Sequence, residues 1–138
     1  MAARYRPSEP RLCRLTNSEG MVAAVYAMEP VDFEAEVGRV LANLPHPLSS
    51  RIANVAFGVE DGFEQPDLLG LYEGTPLTRR GIGYSFTLPD RITLYRNPIL
   101  TRCSTHDDVV RRIEIVVKHE IGHYFGLSDA RLHELGYA

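Results

Sequence analysis

The stretch from Thr105 to Gly126 constrains this chain more than any other, because it reads as a helix with both ends marked. Thr105 can cap the N-terminus, and Asp107 and Asp108 place carboxylates in the first turn, where the positive end of the helix dipole favours them. Val109, Ile113, Val116, Val117, Ile121 and Tyr124 recur at three- and four-residue spacing and make an apolar stripe. Gly126 follows, and glycine takes the left-handed conformation that ends a helix without steric cost.

The elements around this helix are shorter. Val40, Leu41 and Leu44 continue a helical pattern begun at Ala35 and Val37, with Asp32 as its N-cap and Pro45-His46-Pro47 as its stop, which predicts a first helix over 32–44. Ile52, Val55, Phe57 and Val59 predict a strand within Arg51–Glu60, and Leu68–Glu73 a second, closed by Gly74-Thr75-Pro76. Gly81–Leu88 is a third, weakened by its glycines. Arg91–Arg96 is a fourth, with Ile92 and Leu94 on one face against Thr93 and Tyr95, and Asn97-Pro98 ends it. A helical tail is expected over Asp129–Leu135. Residues 1–30 carry prolines and scattered charge with no clear period, so they are read as a loosely ordered extension, with Val22–Tyr26 as a short strand, ahead of one domain over 31–138.

The chemistry lies on the main helix, in His119-Glu120-Ile121-Gly122-His123, the HExxH pattern. Residues four apart project from nearly the same angle, so two imidazoles can reach one metal ion together. Glu120 points about 100° away from His119, beside such an ion rather than onto it, where it can take a proton from a water that zinc has acidified. The longer string HEIGHYFGLSD fits HExxHxxGxxD: a turn at Gly126 would bring Asp129 back as a third, oxygen ligand and leave one position open for water. HExxH alone arises by chance in about one chain of this size in a few hundred, and the capped helix, glycine and aspartate make the chance reading far rarer. Asp129 has a blander reading as a cap of the next helix, and His133 and Glu134 are rival third ligands. His46 reads as an exposed loop residue, His106 as a solvated or locally hydrogen-bonded one, Arg79-Arg80 as a turn, and Tyr124 and Phe125 as core or cleft wall. Tyr137 is close enough in sequence to reach the site.

The whole chain sets bounds on this reading. With 138 residues it is one domain, long enough to bury a core without staples. A net charge of −3 without a basic stripe argues against a nucleic-acid surface. Cys13 and Cys103 stand apart with no metal-ligand spacing, and they read as reduced thiols in a cytoplasmic protein. The best apolar run, Met21–Met28, is too short for a signal peptide or a membrane span.

HEIGHYFGLSDARLHELGY, together with LLGLYEGTPL and LPDRITLYRNPI, resembles the small bacterial zincin-like metallopeptidases sometimes called minimal zincins, from about Val31 onward. The glycine and third-ligand spacing also resembles metzincins, which implies His119, His123 and Asp129 as zinc ligands and Glu120 as the base. The nine residues after Asp129 include no methionine, so the methionine turn that floors a metzincin site is expected to be missing. The resemblance implies an α+β, zincin-like fold: a small twisted mixed sheet, a backing helix, and the HExxH helix beneath a cleft whose rim strand, taken as Gly81–Leu88, pairs with an extended peptide. The expected function is zinc-dependent hydrolysis of peptide bonds in a peptide or protein substrate by a monomer. The competing expectation is a metal-stabilised module that binds peptides without cutting them.

Overall fold

The computed structural model describes residues 2–5, 26–52, 54–62, 64–74 and 89–135. Its elements run β1 (Ala2–Tyr5), α1 (Pro30–Ala42), α2 (His46–Ser49), β2 (Val55–Glu60), β3 (Gly70–Glu73), β4 (Asp90–Tyr95), α3 (Arg96–Leu100), α4 (His106–Tyr124) and α5 (Asp129–Glu134).

The described strands form one mixed sheet in the order β1-β3-β4-β2. β4 lies inside it, antiparallel to β3 and parallel to β2. This position explains why Ile92, Thr93 and Leu94 are all buried. The alternation expected from sequence is blurred at Thr93, which is buried: Arg91 on the same face donates from Nε to its Oγ1 at 3.3 Å, while Arg91 itself stays exposed and Tyr95 half-buried. β2 is the last of the described strands on that side, mostly half-buried, and Arg91 from β4 reaches across it at Gly58 to within 3.9 Å of Glu60.

Helix α4 packs against β3, β4, α1 and α3. Its capping box is complete: Asp108 N–H donates to Thr105 Oγ1 at 3.1 Å, and Thr105 N–H donates to Asp108 Oδ2 at 3.2 Å. Backbone donation from Ser104 outweighs the effect of burial and holds the Asp108 carboxyl below its ordinary value. Helix α1 buries Phe33, Val37 and Val40 on one stripe, with Leu44 just beyond its end. Its main partner is α4 rather than the sheet it was expected to back.

Three local differences from the sequence reading have simple causes. Helix α1 begins at Pro30, with Glu29 as N-cap and Asp32 inside the first turn. Proline suits the first helical position, since the N–H it lacks would have no partner there. Asn97-Pro98 does not merely end β4 but lies in the first turn of α3, for the same reason. The N-terminal residues 2–5, read as part of a loose extension, form a strand on β3, with Ala2 opposite Glu73 and Tyr5 opposite Gly70. Of the strand expected at Val22–Tyr26, only Tyr26 falls within the described residues, where it is not in a strand. The strand expected at Gly81–Leu88 lies outside them. Among the described residues no helix is long and apolar enough to cross a membrane.

Candidate metal centre

The C-terminal half of α4 is enclosed on several sides, and every residue from His119 to Tyr124 is buried. The imidazoles therefore sit in the protein and not on its surface: His119 is 2 % exposed and His123 9 %. Their rings meet edge to face with centroids 4.8 Å apart, and the two Nε2 atoms are separated by 3.1 Å.

The chain then reverses on backbone hydrogen bonds. Gly126 adopts φ +86°, its N–H donates to His123 O at 2.9 Å, and Leu127 N–H donates to Gly122 O at 2.9 Å. This paired closure is the Schellman arrangement, which needs the left-handed residue that glycine supplies. Ser128 next caps α5, its Oγ accepting from Arg131 N–H at 3.2 Å. The capping role proposed for Asp129 thus falls to Ser128. Asp129 is the first residue of α5, and its Oδ1 lies 3.2 Å from His119 Nε2 and 3.1 Å from His123 Nε2.

What holds α5 in that place is a contact the sequence reading did not single out. Gly122 faces Leu132, which is fully buried, and a Cβ at Gly122 would come within 2.3 Å of Leu132 Cδ2. A glycine inside a helix is destabilising by about 1 kcal/mol relative to alanine, so its presence between two histidines is a sign of close approach. Gly70 is the second such position. A Cβ there would lie 3.0 Å from Glu120 Oε1 and 2.7 Å from Val116, so the backbone of β3 rests directly on the glutamate. Glu120 is fully buried.

His119, His123 and Asp129 each offer one atom to a common point, and they are the group of metal-type donors found among the described residues. A tetrahedral zinc site with bonds of about 2.0–2.1 Å sets its ligand atoms about 3.3 Å apart, close to the observed 3.1–3.2 Å separations. The tautomer of His123 also fits. Its Nδ1 is 3.0 Å from the carbonyl of Leu127, which can only accept, so Nδ1 is the donor there and Nε2 is the nitrogen left for a metal. The residues present therefore suit a divalent ion with two nitrogen ligands and one oxygen ligand.

The other candidates stand elsewhere. His133 is exposed, and Glu134 accepts from Arg131 at 3.0 Å. His46 is exposed in α2, as expected of it, while His106 donates to Glu36 at 3.0 Å. Tyr124 is buried, edge to face with Tyr72, and Cys103 is a buried thiol directed at Ile99 O. Cys13, Arg79, Arg80 and Tyr137 lie outside the described residues.

The model of the zincin-like metallopeptidase family matches residues 52–137, more than half of the chain, and the chain belongs to that family. The α+β architecture is a zincin-like fold, and membership implies a metal ion, usually zinc, and peptide or protein substrates. No curated protein matches the chain.

Proposed function

We propose that the chain is a zinc-dependent peptidase in which Nε2 of His119, Nε2 of His123 and Oδ1 of Asp129 hold the metal and Glu120 is the general base. The observation that carries this reading is the convergence of those three atoms to within 3.1–3.2 Å of one another, with Glu120 on the adjoining face of the same helix. Zinc held there would supply a Lewis acid and acidify water to a pKa of about 7. Glu120 takes the proton of the attacking water at its carboxylate and passes it to the leaving nitrogen. His123, oriented through Leu127 O, and His119, buried against it, keep their donor atoms aimed while the reaction proceeds.

A second reading, a metal-stabilised peptide-binding module without turnover, draws on one observation: Glu120 is fully buried. Glu120→Gln separates the two. Glutamine keeps the volume and cannot accept the proton, so zinc content should persist while hydrolysis of a broad peptide library falls by about 10²–10⁴. Equal cleavage by wild type and variant would remove Glu120 from the mechanism. Saturable peptide binding with no cleavage by either would select the module.

A further inference from the structure

The two carboxylates beside the histidines differ sharply in access. The Asp129 side chain is 76 % exposed, whereas Glu120 is sealed. Part of the seal is β3, whose backbone at Gly70 rests on the Glu120 carboxylate. One side of β3 is taken by β4, and the other by β1, which sets Tyr5 opposite Gly70 and Arg4 opposite Leu71. β1 also lies close to α4. Four residues of the N-terminus thus cover the strand edge that borders the proposed base.

A strand edge presents a row of N–H and C=O groups that an extended peptide can pair with, and here the chain satisfies that row itself. Ala2-Ala3-Arg4-Tyr5 lacks the apolar alternation that marks a strand meant for a core. What defines it is the antiparallel backbone pairing, which any extended peptide can reproduce.

We infer that β1 is a built-in competitor: it occupies the edge of β3, the strand that rests on Glu120, and is displaced when an extended peptide pairs there instead. This rests on the peptidase reading above and adds regulation to it. A strand on the same chain competes at an effective concentration up to the order of millimolar. The apparent affinity of an incoming peptide is then reduced by the fraction of molecules in which β1 is off. If that fraction is about 1–10 %, releasing β1 raises apparent affinity about 10–100-fold.

The test uses the full-length, zinc-loaded chain and a fluorescein-labelled peptide of residues 1–8, MAARYRPS, whose sequence makes this pairing. Ala3→Pro with Arg4→Pro removes two backbone donors from β1 and disfavours the strand. Ala2→Cys with Glu73→Cys, in a Cys13→Ser background, places thiols at directly opposed positions and locks β1 down on oxidation. Zinc content and circular dichroism report whether each variant keeps its fold and metal. The proline variant should bind the probe at least about tenfold more tightly than wild type. The oxidised locked variant should not bind it, and reduction should restore wild-type affinity. Binding by the locked form equal to wild type would overturn the inference, as would a zinc-loaded proline variant with no gain. Probe binding needs no turnover. Absence of hydrolysis in every form would therefore count against the peptidase reading alone, and failure of the lock would count against the strand exchange alone.

Discussion

Helix α4 carries a histidine facing a carboxylate at each end, and the two arrangements are built in opposite ways. Near its start, His106 donates to Glu36 of α1, and Arg39 donates to the same oxygen. There the carboxylate is enclosed and the imidazole is half exposed, with side-chain exposures of 10 % and 51 %. Near its end the histidines are enclosed, at 3 % and 11 %, while the Asp129 carboxylate is open. The first arrangement is complete: one acid meets two donors. In the second, two imidazole nitrogens and one carboxylate oxygen converge on a common point, an arrangement that suits a cation. The residue types are the same, and what separates a structural ion pair from a candidate metal site is how many donor atoms meet at one point.

The largest test of this contrast is alanine at each histidine in turn. His119→Ala or His123→Ala should abolish stoichiometric zinc binding, whereas His106→Ala should leave zinc content unchanged; elemental analysis after reloading at neutral pH decides it. Zinc retained in both of the first two variants would erase the distinction drawn above. Asp129→Ala comes next. It removes the proposed oxygen ligand but leaves Ser128 to cap α5, so zinc affinity should fall by more than about a hundredfold while the far-ultraviolet circular dichroism is kept. Unchanged affinity there, with loss in Glu134→Ala or His133→Ala, would reassign the ligand. Gly122→Val is subtler because it touches no donor atom. The added carbon atoms displace Leu132, swing α5 away from α4, and should weaken zinc about tenfold, the lower end of what contacts outside the ligands are worth.

The smallest expected effect belongs to the other end of the helix. Burial pushes the Glu36 carboxyl up, but the hydrogen bonds and charges of His106 and Arg39 outweigh it and hold it below its ordinary value. Asp108 is lowered as well. A carboxyl lowered by folding stabilises the fold above its unfolded pKa, and that contribution is lost as pH falls through the folded value. Thermal unfolding between pH 7 and pH 3 should therefore show a loss of stability below about pH 4.5, and Glu36→Gln should flatten that part of the curve. A variant curve parallel to wild type would mean that the pair contributes nothing measurable.

Much of this was legible from the chain alone where the signal is local. The capping box at Thr105, the stop at Gly126 and the HExxHxxGxxD spacing depend on residues within a few positions of one another, and periodicity located β2, β3 and β4 to within a few residues. What escaped depends on parts of the chain that meet only in three dimensions. Nothing in Ala2-Ala3-Arg4-Tyr5 announces a strand, because its partner is backbone at residues 70–73. The pairing of Gly122 with Leu132 and of Gly70 with Glu120 shows in sequence only as glycines where glycine is unfavourable. The preference of α1 for α4 over the sheet was equally invisible, since an apolar stripe does not name what it packs on.

The tight reversal at Gly126 also bears on the order in which the molecule comes together. His119 and Asp129 are separated by ten positions along the chain, His106 and Glu36 by seventy. Closing the longer loop carries an extra entropic cost of about 1.7 kcal/mol on logarithmic scaling. The three donor atoms can therefore meet once the last turns of α4 and the short α5 have formed, before distant segments find each other. Zinc taken up at that moment would stabilise a local nucleus, and refolding in the presence of the ion would begin from the C-terminal end.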